Sequence, residues 1–447
     1  MRSMFRRAAL SALLGLAALV AVPAVAAEKD PPIVFVHGNG DTAGLWIATI
    51  WRFESNGYER SRLFAIDLKY PMARNVDATP QEGRSSAQEV MQQLAAYVDE
   101  VLKKTGASKV ALVGNSRGGN TIRNYVKNGG GATKVSHVVL GSGVNHGVVA
   151  LDNFLVGSEF NGLSPFMQQL NGGQDEVVAG VKFMTIRSDK NDKYAQPDGA
   201  FLGMPGKPTG VSYDAPALKG ATNIVIAGLD HRETAFSPQA FVPMFKFITG
   251  RDAKKTDIVR ESKPVLNGVV TGITAGVFDN VPVKGAKVEI FKVDAKTGER
   301  QGKALLSKTT GADGVWGPFA AQPTAFYEFV VEVPGQAITH IYRSPFPRGS
   351  NYLYLRPGQF AKGDETAGSV VMMSRPRGYF GIGRDRMSLD GKDPVGVNPG
   401  VPGTSIAKVT LPATPQRTVV AIFRHETIPA RNWPVASKEL SIAEFTY

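Results

Sequence analysis

A buried strand that runs directly into a glycine-flanked serine is the feature that most constrains the fold of this chain. The apolar segment 110–113 is followed by Gly114-Asn-Ser116-Arg-Gly118, and a helical pattern follows at 121–127. This G-x-S-x-G pattern places a serine on a tight turn between strand and helix, where its hydroxyl is exposed. Glycines are needed on both sides because side chains would collide there. The segment predicts a nucleophilic serine at the edge of a parallel sheet.

The N-terminus has the features of a removable export signal. Residues 1–27 combine basic residues at Arg2, Arg6 and Arg7 with an apolar run and a small-residue cleavage site at Ala24-Val-Ala26. The apolar run is short for a membrane span, so we expect no transmembrane span. We therefore predict an exported protein, periplasmic or secreted. The Arg6-Arg7 pair leaves the twin-arginine and general secretory routes both open.

The composition excludes several kinds of site and partner. The chain of 447 residues has no cysteine, so thiol catalysis, thiolate metal sites and disulfides are excluded. Its net charge of +12 is dispersed among acidic residues, as in 252–257, which favours a solubilising surface over a nucleic-acid partner. Its histidines and carboxylates do not have the spacing of metal ligands. We predict no metal and no cofactor.

Residues 28–255 alternate between strand and helix patterns. Strands are predicted at 32–36, 63–67, 109–114, 135–140, 181–186 and 223–227, and helices at 86–104, at 121–127 and from Ser237-Pro238 to Gly250. Strands that alternate with helices indicate a mostly parallel sheet covered on both faces. This part of the chain is predicted to be an α/β catalytic domain.

The second half of the chain has an all-β pattern. Runs such as 288–293 and 327–333 alternate between apolar and polar residues, and turn residues separate them. We predict a β-sandwich domain at 256–355 and a second β-rich domain at 356–447. The fold class is therefore an α/β domain followed by C-terminal all-β domains.

A serine needs a base to become a nucleophile. His231 follows the last predicted strand and precedes a helix, and the carboxyl ends of strands are where a parallel sheet carries its working groups. We predict that His231 deprotonates Ser116. His37 lies in the turn after the first strand, where a structural role is favoured over a catalytic one.

The base needs a carboxylate that fixes its tautomer. Asp189 and Asp192 both follow the strand at 181–186. We prefer Asp192, because Tyr194-Ala195 and then Pro197 suit a loop that turns back into the fold, and Asp189 is the alternative. The chain order Ser, Asp, His is that of α/β-hydrolases.

Two backbone N–H groups are expected to bind the oxyanion of the reaction. One belongs to Arg117, directly after the serine, and the other to Asn39 in the turn after the first strand. Between these elements and the acid, the apolar and glycine-rich segment 147–180 has two interpretations. It forms helical packing against the sheet, or it forms a lid or wall for an acyl chain.

Several of these motifs together resemble secreted bacterial class 2 lipases. They are 32–38, 114–118, 185–197 and 229–231, and similarity to archaeal-type long-chain lipases with a C-terminal β-domain extends through 256–259 and 342–346. The resemblance implies an α/β-hydrolase fold and carboxylic-ester hydrolysis. It implies the following roles: Ser116 as nucleophile, His231 as base, Asn39 and Arg117 as oxyanion donors, and Asp192 as the favoured acid.

The chain departs from these families at three positions. Asn115 stands where they usually have His, the interval from Ser188 to Asp192 is one residue longer, and Ser142 stands where some β-domain relatives have the acid. Separately, 282–288 and 312–314 resemble a transthyretin-like or surface-protein B-type sandwich.

The leading hypothesis is an exported lipase or carboxylesterase that cleaves esters of apolar acyl chains through an acyl-enzyme. Its C-terminal β half is expected to aid binding of the ester substrate or of a lipid or polymer surface. One alternative is a polyester depolymerase whose β half docks onto insoluble polymer. Another, of a different class, is a surface-binding protein with a vestigial hydrolase domain.

Overall fold

A parallel sheet organises the first half of the protein, whose computed structural model describes residues 30–447. The predicted export signal at 1–27 lies outside these residues. The strands of this half are β1 (Ile33–Val36), β2 (Leu63–Ile66), β3 (Met72–Ala73), β4 (Arg84–Ser85), β5 (Val110–Asn115), β6 (Val135–Gly141), β7 (Lys182–Arg187) and β8 (Thr222–Val225). Six of them form one sheet in the order β2-β1-β5-β6-β7-β8, and every neighbouring pair is parallel. The predicted parallel sheet is confirmed.

Helices cover both faces of this sheet. They are α1 (Ile47–Ser55), α2 (Ala87–Thr105), α3 (Arg117–Asn128), α4 (Pro165–Asn171), α5 (Glu233–Phe236) and α6 (Pro238–Thr249), with 3-10 turns at 43–46, 60–62, 131–133, 193–195, 200–202, 364–366 and 435–437. Alternate residues of β1 point to opposite faces. Ile33 and Phe35 pack in a core with α1 and α6, whereas Val34 and Val36 pack in a core with α2 and α3.

The second half is built from short strands, most of them antiparallel. They are β9 (Val265–Leu266), β10 (Thr271–Thr274), β11 (Val277–Pro282), β12 (Lys287–Val293), β13 (Leu306–Thr309), β14 (Phe319–Ala320), β15 (Phe326–Glu332), β16 (Ile338–Arg343), β17 (Ser369–Ser374), β18 (Met387–Leu389), β19 (Ile406–Leu411), β20 (Thr418–Phe423), β21 (Glu426–Arg431) and β22 (Glu439–Glu444). The predicted C-terminal all-β architecture is therefore confirmed.

One seven-stranded sheet crosses the predicted domain boundary at residue 355. Its strand order is β13-β12-β15-β16-β22-β17-β19, so the last strand of the chain lies between β16 and β17 and pairs in parallel with both. Local sequence patterns carry no information about such pairing across about a hundred residues. This half also contains a three-stranded antiparallel sheet, β18-β20-β21, and two antiparallel pairs, β10-β11 and β9-β14.

Two searches of residues 30–447 give further facts. No helix in this part of the chain is long and apolar enough to cross a lipid bilayer. Nor do these residues contain a group of three or more His, Asp or Glu side chains that could hold a metal ion.

Candidate active site

Ser116 occupies a sharp bend between β5 and α3. Its backbone φ of 55° and ψ of −125° lie outside the regions that most residues adopt. The bend is held because the Ser116 amide donates to the Gly141 carbonyl at 3.1 Å. A non-glycine residue with positive φ at the end of a buried strand indicates strain kept for function. The side chain is largely buried, with 7% of the residue exposed.

The flanking glycines are required by close packing around this bend. A Cβ on Gly114 would lie 2.7 Å from Ile122 Cδ1, and a Cβ on Gly118 would collide with the carbonyl oxygens of Val36 and His37. α3 therefore approaches β1 more closely than a side chain would allow. This approach brings Ser116 next to the turn after β1, because a Cβ on Gly38 would lie 3.0 Å from Ser116 Cβ.

Asn115 joins the serine bend to the loop that carries His231. Its Nδ2 donates to the carbonyls of Gly141 and His231, both at 3.0 Å. The second bond ties the backbone of His231 to the last residue of β5, which directly precedes Ser116. Asn115 thus has a structural use at the position where the related families usually have His.

His231 and Asp192 form a buried hydrogen-bonded pair. His231 Nδ1 lies 2.8 Å from Asp192 Oδ1, and the Tyr194 ring packs edge-on against the imidazole with centroids 4.7 Å apart. The carboxylate accepts from Nδ1, which leaves Nε2 as the acceptor atom. Nε2 is buried and has no hydrogen-bond partner among residues 30–447. Ser116 Oγ and His231 Nε2 are not within hydrogen-bond geometry of each other in this structure.

Asp192 is held in its charged form. Burial raises its pKa, but the His231 ring, the Ser142 hydroxyl and the Tyr194 amide oppose this effect, and the net shift of the pKa is downward. The Tyr194 amide donates to Asp192 Oδ1 at 3.0 Å. A charged carboxylate stabilises an imidazolium on His231, as a general base requires.

Asp189 lies in the same loop but bonds elsewhere. Its Oδ1 accepts from the Asn191 amide at 3.0 Å and from Asn191 Nδ2 at 2.8 Å. Burial raises its pKa, and hydrogen bonds from Asn191, Gly228 and Ser188 outweigh burial and lower it. Asp189 therefore closes its own turn, and within residues 30–447 it makes no hydrogen bond to His231.

Two backbone amides face the serine bend. Arg117 follows Ser116 at the first position of α3, and Asn39 lies in the turn after β1 beside Gly38. The Asn39 side chain is fixed, because its Oδ1 accepts from the Ala73 amide at 2.7 Å. Within residues 30–447, neither the Asn39 amide nor the Arg117 amide donates to a recorded acceptor. The two predicted oxyanion donors therefore lie next to Ser116, Arg117 in sequence and Asn39 beside the close contact of Gly38 with Ser116.

The Arg117 side chain points away from this position and anchors the segment 147–180. It is fully buried, and its guanidinium forms an ion pair with Glu159 at 2.6 Å. It also donates to the Pro71 carbonyl at 2.9 Å. Part of the segment is packed, since Met167 and Leu170 of α4 are buried, whereas Val156 is 59% exposed. The segment is therefore tied to the serine bend at Glu159.

His37 holds the turn next to the serine. Its Nδ1 donates to the Gly38 carbonyl at 2.9 Å, and its Nε2 accepts from the Leu68 amide at 3.1 Å. Burial lowers its pKa to about 4, although the Gly38 carbonyl and Asp41 act in the opposite direction. A neutral His37 is thus built into the turn that presents Asn39.

This burial predicts a pH dependence of stability. Between pH 6.5 and about 4 the unfolded state protonates His37 and the folded state does not. The free energy of unfolding therefore decreases as the pH is lowered through this window. His37 contributes about 1.4 kcal/mol of this decrease per pH unit. We expect the His37→Gln variant to have a smaller slope than the wild type in urea unfolding between pH 6.5 and 4.5. Equal slopes in the two proteins would show that His37 is not the linked group.

Two cavities flank the His231 loop. A small one of about 60 Å³ is lined by Ser142, Asp192, Tyr194 and His231. A larger cleft of about 720 Å³ lies between the two halves of the protein and reaches Gly40, Asp41 and Arg232 in the α/β half. The β half lines the rest of this cleft with both apolar and charged side chains. The apolar ones include Phe278, Phe360, Met372 and Ile442, and the charged ones are Arg343, Arg356, Arg377, Lys408 and Glu444.

Two family models match the chain. Residues 30–196 match the model of lipase (class 2), and residues 265–360 match the model of the lipase C-terminal domain. The resemblance to class 2 lipases is therefore confirmed. Asp192 and Ser116 lie within the first match and His231 lies outside both.

Solved structures of bacterial hydrolases resemble the chain at low sequence identity. The mature form of Bacillus licheniformis lipase BlEst2 is 22% identical, covering 49% of this chain and 91% of that chain with a TM-score of 0.36. Its propeptide form is 16% identical and covers 90% and 92%, with a TM-score of 0.36. Phospholipase PlaB from Legionella pneumophila is 11% identical and covers 74% and 96%, with a TM-score of 0.36.

The fold and the family matches lead to one assignment. Residues 30–196, on the parallel α/β-hydrolase sheet, are similar to class 2 lipases, and residues 265–360 are similar to the lipase C-terminal domain, which supports an ester hydrolase of the lipase and carboxylesterase class.

Proposed function

We propose that the protein is an exported serine hydrolase that cleaves carboxylic esters of apolar acyl chains through an acyl-enzyme. One observation carries the proposal. The buried imidazole of His231, oriented through Nδ1 by the carboxylate of Asp192, has an Nε2 atom without a hydrogen-bond partner among residues 30–447. Its loop is tied to β5 one residue before the strained Ser116. An unpartnered buried acceptor costs free energy unless a reacting group uses it.

In the proposed reaction, His231 Nε2 takes the proton of Ser116 Oγ as the oxygen attacks the ester carbonyl. The tetrahedral oxyanion accepts hydrogen bonds from the amides of Asn39 and Arg117, each worth about 3 kcal/mol of barrier. The imidazolium then protonates the leaving alcohol. Water, deprotonated by the same Nε2, releases the acid and restores Ser116. Hydrogen bonds between nucleophile and base are often formed only once substrate is bound.

The proposed substrate class rests on the cleft between the two halves. The cleft begins at Gly40 and Asp41, directly after Asn39, and contains apolar wall residues such as Phe278, Phe360 and Met372. Its volume of about 720 Å³ suits a long acyl chain. Val395 and Ile406, which also line the cleft, are 78% and 51% exposed and would meet an insoluble ester first. These features favour an ester with a long apolar acyl chain over a small polar ester.

The test is an acyl-chain series of p-nitrophenyl esters, followed by emulsified triglyceride and by a hydroxyalkanoate polymer film. We expect kcat/KM to rise from acetyl to medium or long acyl chains and triglyceride to be hydrolysed. Clearing of the film without release of fatty acid from triglyceride would assign the protein to polyester depolymerases instead. The absence of hydrolysis of every ester would favour the surface-binding alternative.

A further inference from the structure

The loop that carries His231 is closed by two acidic side chains of its own. Asp230 Oδ1 accepts from the amides of Arg232 and Glu233, both at 2.9 Å. Glu233 Oε2 accepts in return from the Asp230 amide at 2.8 Å. These reciprocal hydrogen bonds close the turn that precedes α5, and His231 lies inside this turn. Each carboxylate still has one oxygen to satisfy.

Arg375, directly after β17 in the C-terminal half, binds both remaining oxygens. Its Nη1 lies 2.6 Å from Asp230 Oδ2, and its Nη2 lies 2.6 Å from Glu233 Oε1. All three side chains are buried, and that of Arg375 is 0% exposed. A planar guanidinium that bridges two carboxylates fixes their relative positions, which a lysine cannot do.

Other residues of the C-terminal half complete a neutral network around this bridge. Arg384 pairs with Glu233 at 2.9 Å, and Arg424 pairs with Glu233 at 2.7 Å and with Asp385 at 2.8 Å. Three arginines thus balance the three carboxylates of Asp230, Glu233 and Asp385. Burial raises the pKa of Asp230, but Arg375 and Arg384 outweigh it and keep the carboxylate charged.

The same C-terminal segment contacts the Asp192 loop. The Tyr379 amide donates to Asp230 Oδ2 at 2.9 Å, and the Lys193 ammonium lies 4.0 Å from the centre of the Tyr379 ring. Lys193 also donates to the Gly403 carbonyl at 2.8 Å. Both loops of the His231–Asp192 pair therefore rest on residues 375–403.

We propose that Arg375 is a positioning residue for catalysis and that the segment beyond the matched lipase C-terminal domain completes the active site. The inference rests on the proposed function of His231. Without the guanidinium, the two buried carboxylates on either side of His231 lose their two ion pairs of 2.6 Å. They keep Arg384 as a shared partner, but at 3.4 Å from Asp230, so their relative positions are no longer fixed. A displacement of about 1 Å at a catalytic base costs on the order of 100-fold in rate.

The experiment compares Arg375→Met with Arg300→Met. Arg300 also makes a double hydrogen bond to a buried carboxylate, that of Glu328 in β15, at 2.6 and 3.0 Å. β15 lies three strands away from β17 in the same sheet, and Arg300 makes no hydrogen bond to the His231 loop within residues 30–447. At a temperature where circular dichroism shows both variants folded, we expect Arg375→Met to lower kcat on the order of 100-fold with little change in KM. Arg300→Met should leave both constants within about threefold of the wild type.

A second readout does not require activity. The proton on His231 Nδ1, hydrogen bonded to Asp192, gives a low-field proton resonance that His231→Gln identifies by its absence. Arg375→Met should shift or broaden it and Arg300→Met should preserve it. A folded Arg375→Met with unchanged kcat and an unchanged resonance would overturn the inference.

Two further outcomes need separate treatment: an Arg375→Met variant that does not fold, and a wild-type protein that hydrolyses no ester. If Arg375→Met fails to fold, Asp230→Asn replaces it, because its amide keeps one oxygen for the α5 amides and removes the charge that Arg375 binds. A wild-type protein that hydrolyses no ester would refute the proposed function, and the resonance alone would then decide whether Arg375 positions His231.

Discussion

Replacing Ser116 with alanine is expected to reduce kcat for a p-nitrophenyl ester by about 10⁵-fold while the protein stays folded. The variant removes the only hydroxyl at the bend between β5 and α3. What remains is the environment of Asn39 and Arg117, which by itself leaves a small residual rate. Ala tolerates the positive φ of 55° at this position about as poorly as Ser does, so stability should change little.

Ser136→Ala is the matched control for this variant. Ser136 is the second residue of β6, and its hydroxyl donates to the Val110 carbonyl at 3.2 Å. It is therefore at the opposite end of the strand from Gly141. Turnover of Ser136→Ala should equal that of the wild type. Retention of more than a few per cent of activity by Ser116→Ala would remove the serine from the mechanism.

Replacing Asp192 with asparagine is expected to lower kcat by about 10³ to 10⁴-fold. The amide of Asn would donate to His231 Nδ1 instead of accepting from it. The ring would then carry its proton on Nε2, where it cannot take the proton of Ser116. Since Asn has nearly the same shape as Asp, the loop should keep its fold.

Asp189→Asn separates the two carboxylates that the sequence leaves open. The Asp189 carboxylate bonds to Asn191 in its own turn, so an amide there retains one acceptor oxygen. We expect kcat within about tenfold of the wild type, with a small loss of stability. If Asp189→Asn were the inactive variant and Asp192→Asn the active one, the assignment of the acid would be reversed.

The parallel sheet and the bend at Ser116 could be predicted from the sequence because both depend on local patterns. An apolar run before Gly114 and glycines around Ser116 specify strand, turn and helix within twenty residues. The predicted helix at 86–104 is found at Ala87–Thr105, where Ser86 and Glu89 form a capping box and Gly106 ends it. These signals are short-range, and their physical cause lies in neighbouring residues.

The supports of the site depend on long-range contacts that no local pattern encodes. Arg375 meets Asp230 across 145 residues, and Asn280 donates to the Asp41 carbonyl across 239 residues at 3.1 Å. No local sequence pattern distinguishes Arg375 from the other arginines of the β-rich half. The position of Ser142 near the site could be predicted from the sequence, because it directly follows β6 at the edge of the sheet where the other site residues lie.

The most direct test of the account is to label the protein with a fluorophosphonate and to map the modified peptide by mass spectrometry. We expect one phosphonate per chain, attached to Ser116, and loss of labelling in both Ser116→Ala and His231→Gln. Attachment to another residue, or no attachment to a folded wild-type protein, would contradict the claim that His231 activates the Ser116 hydroxyl.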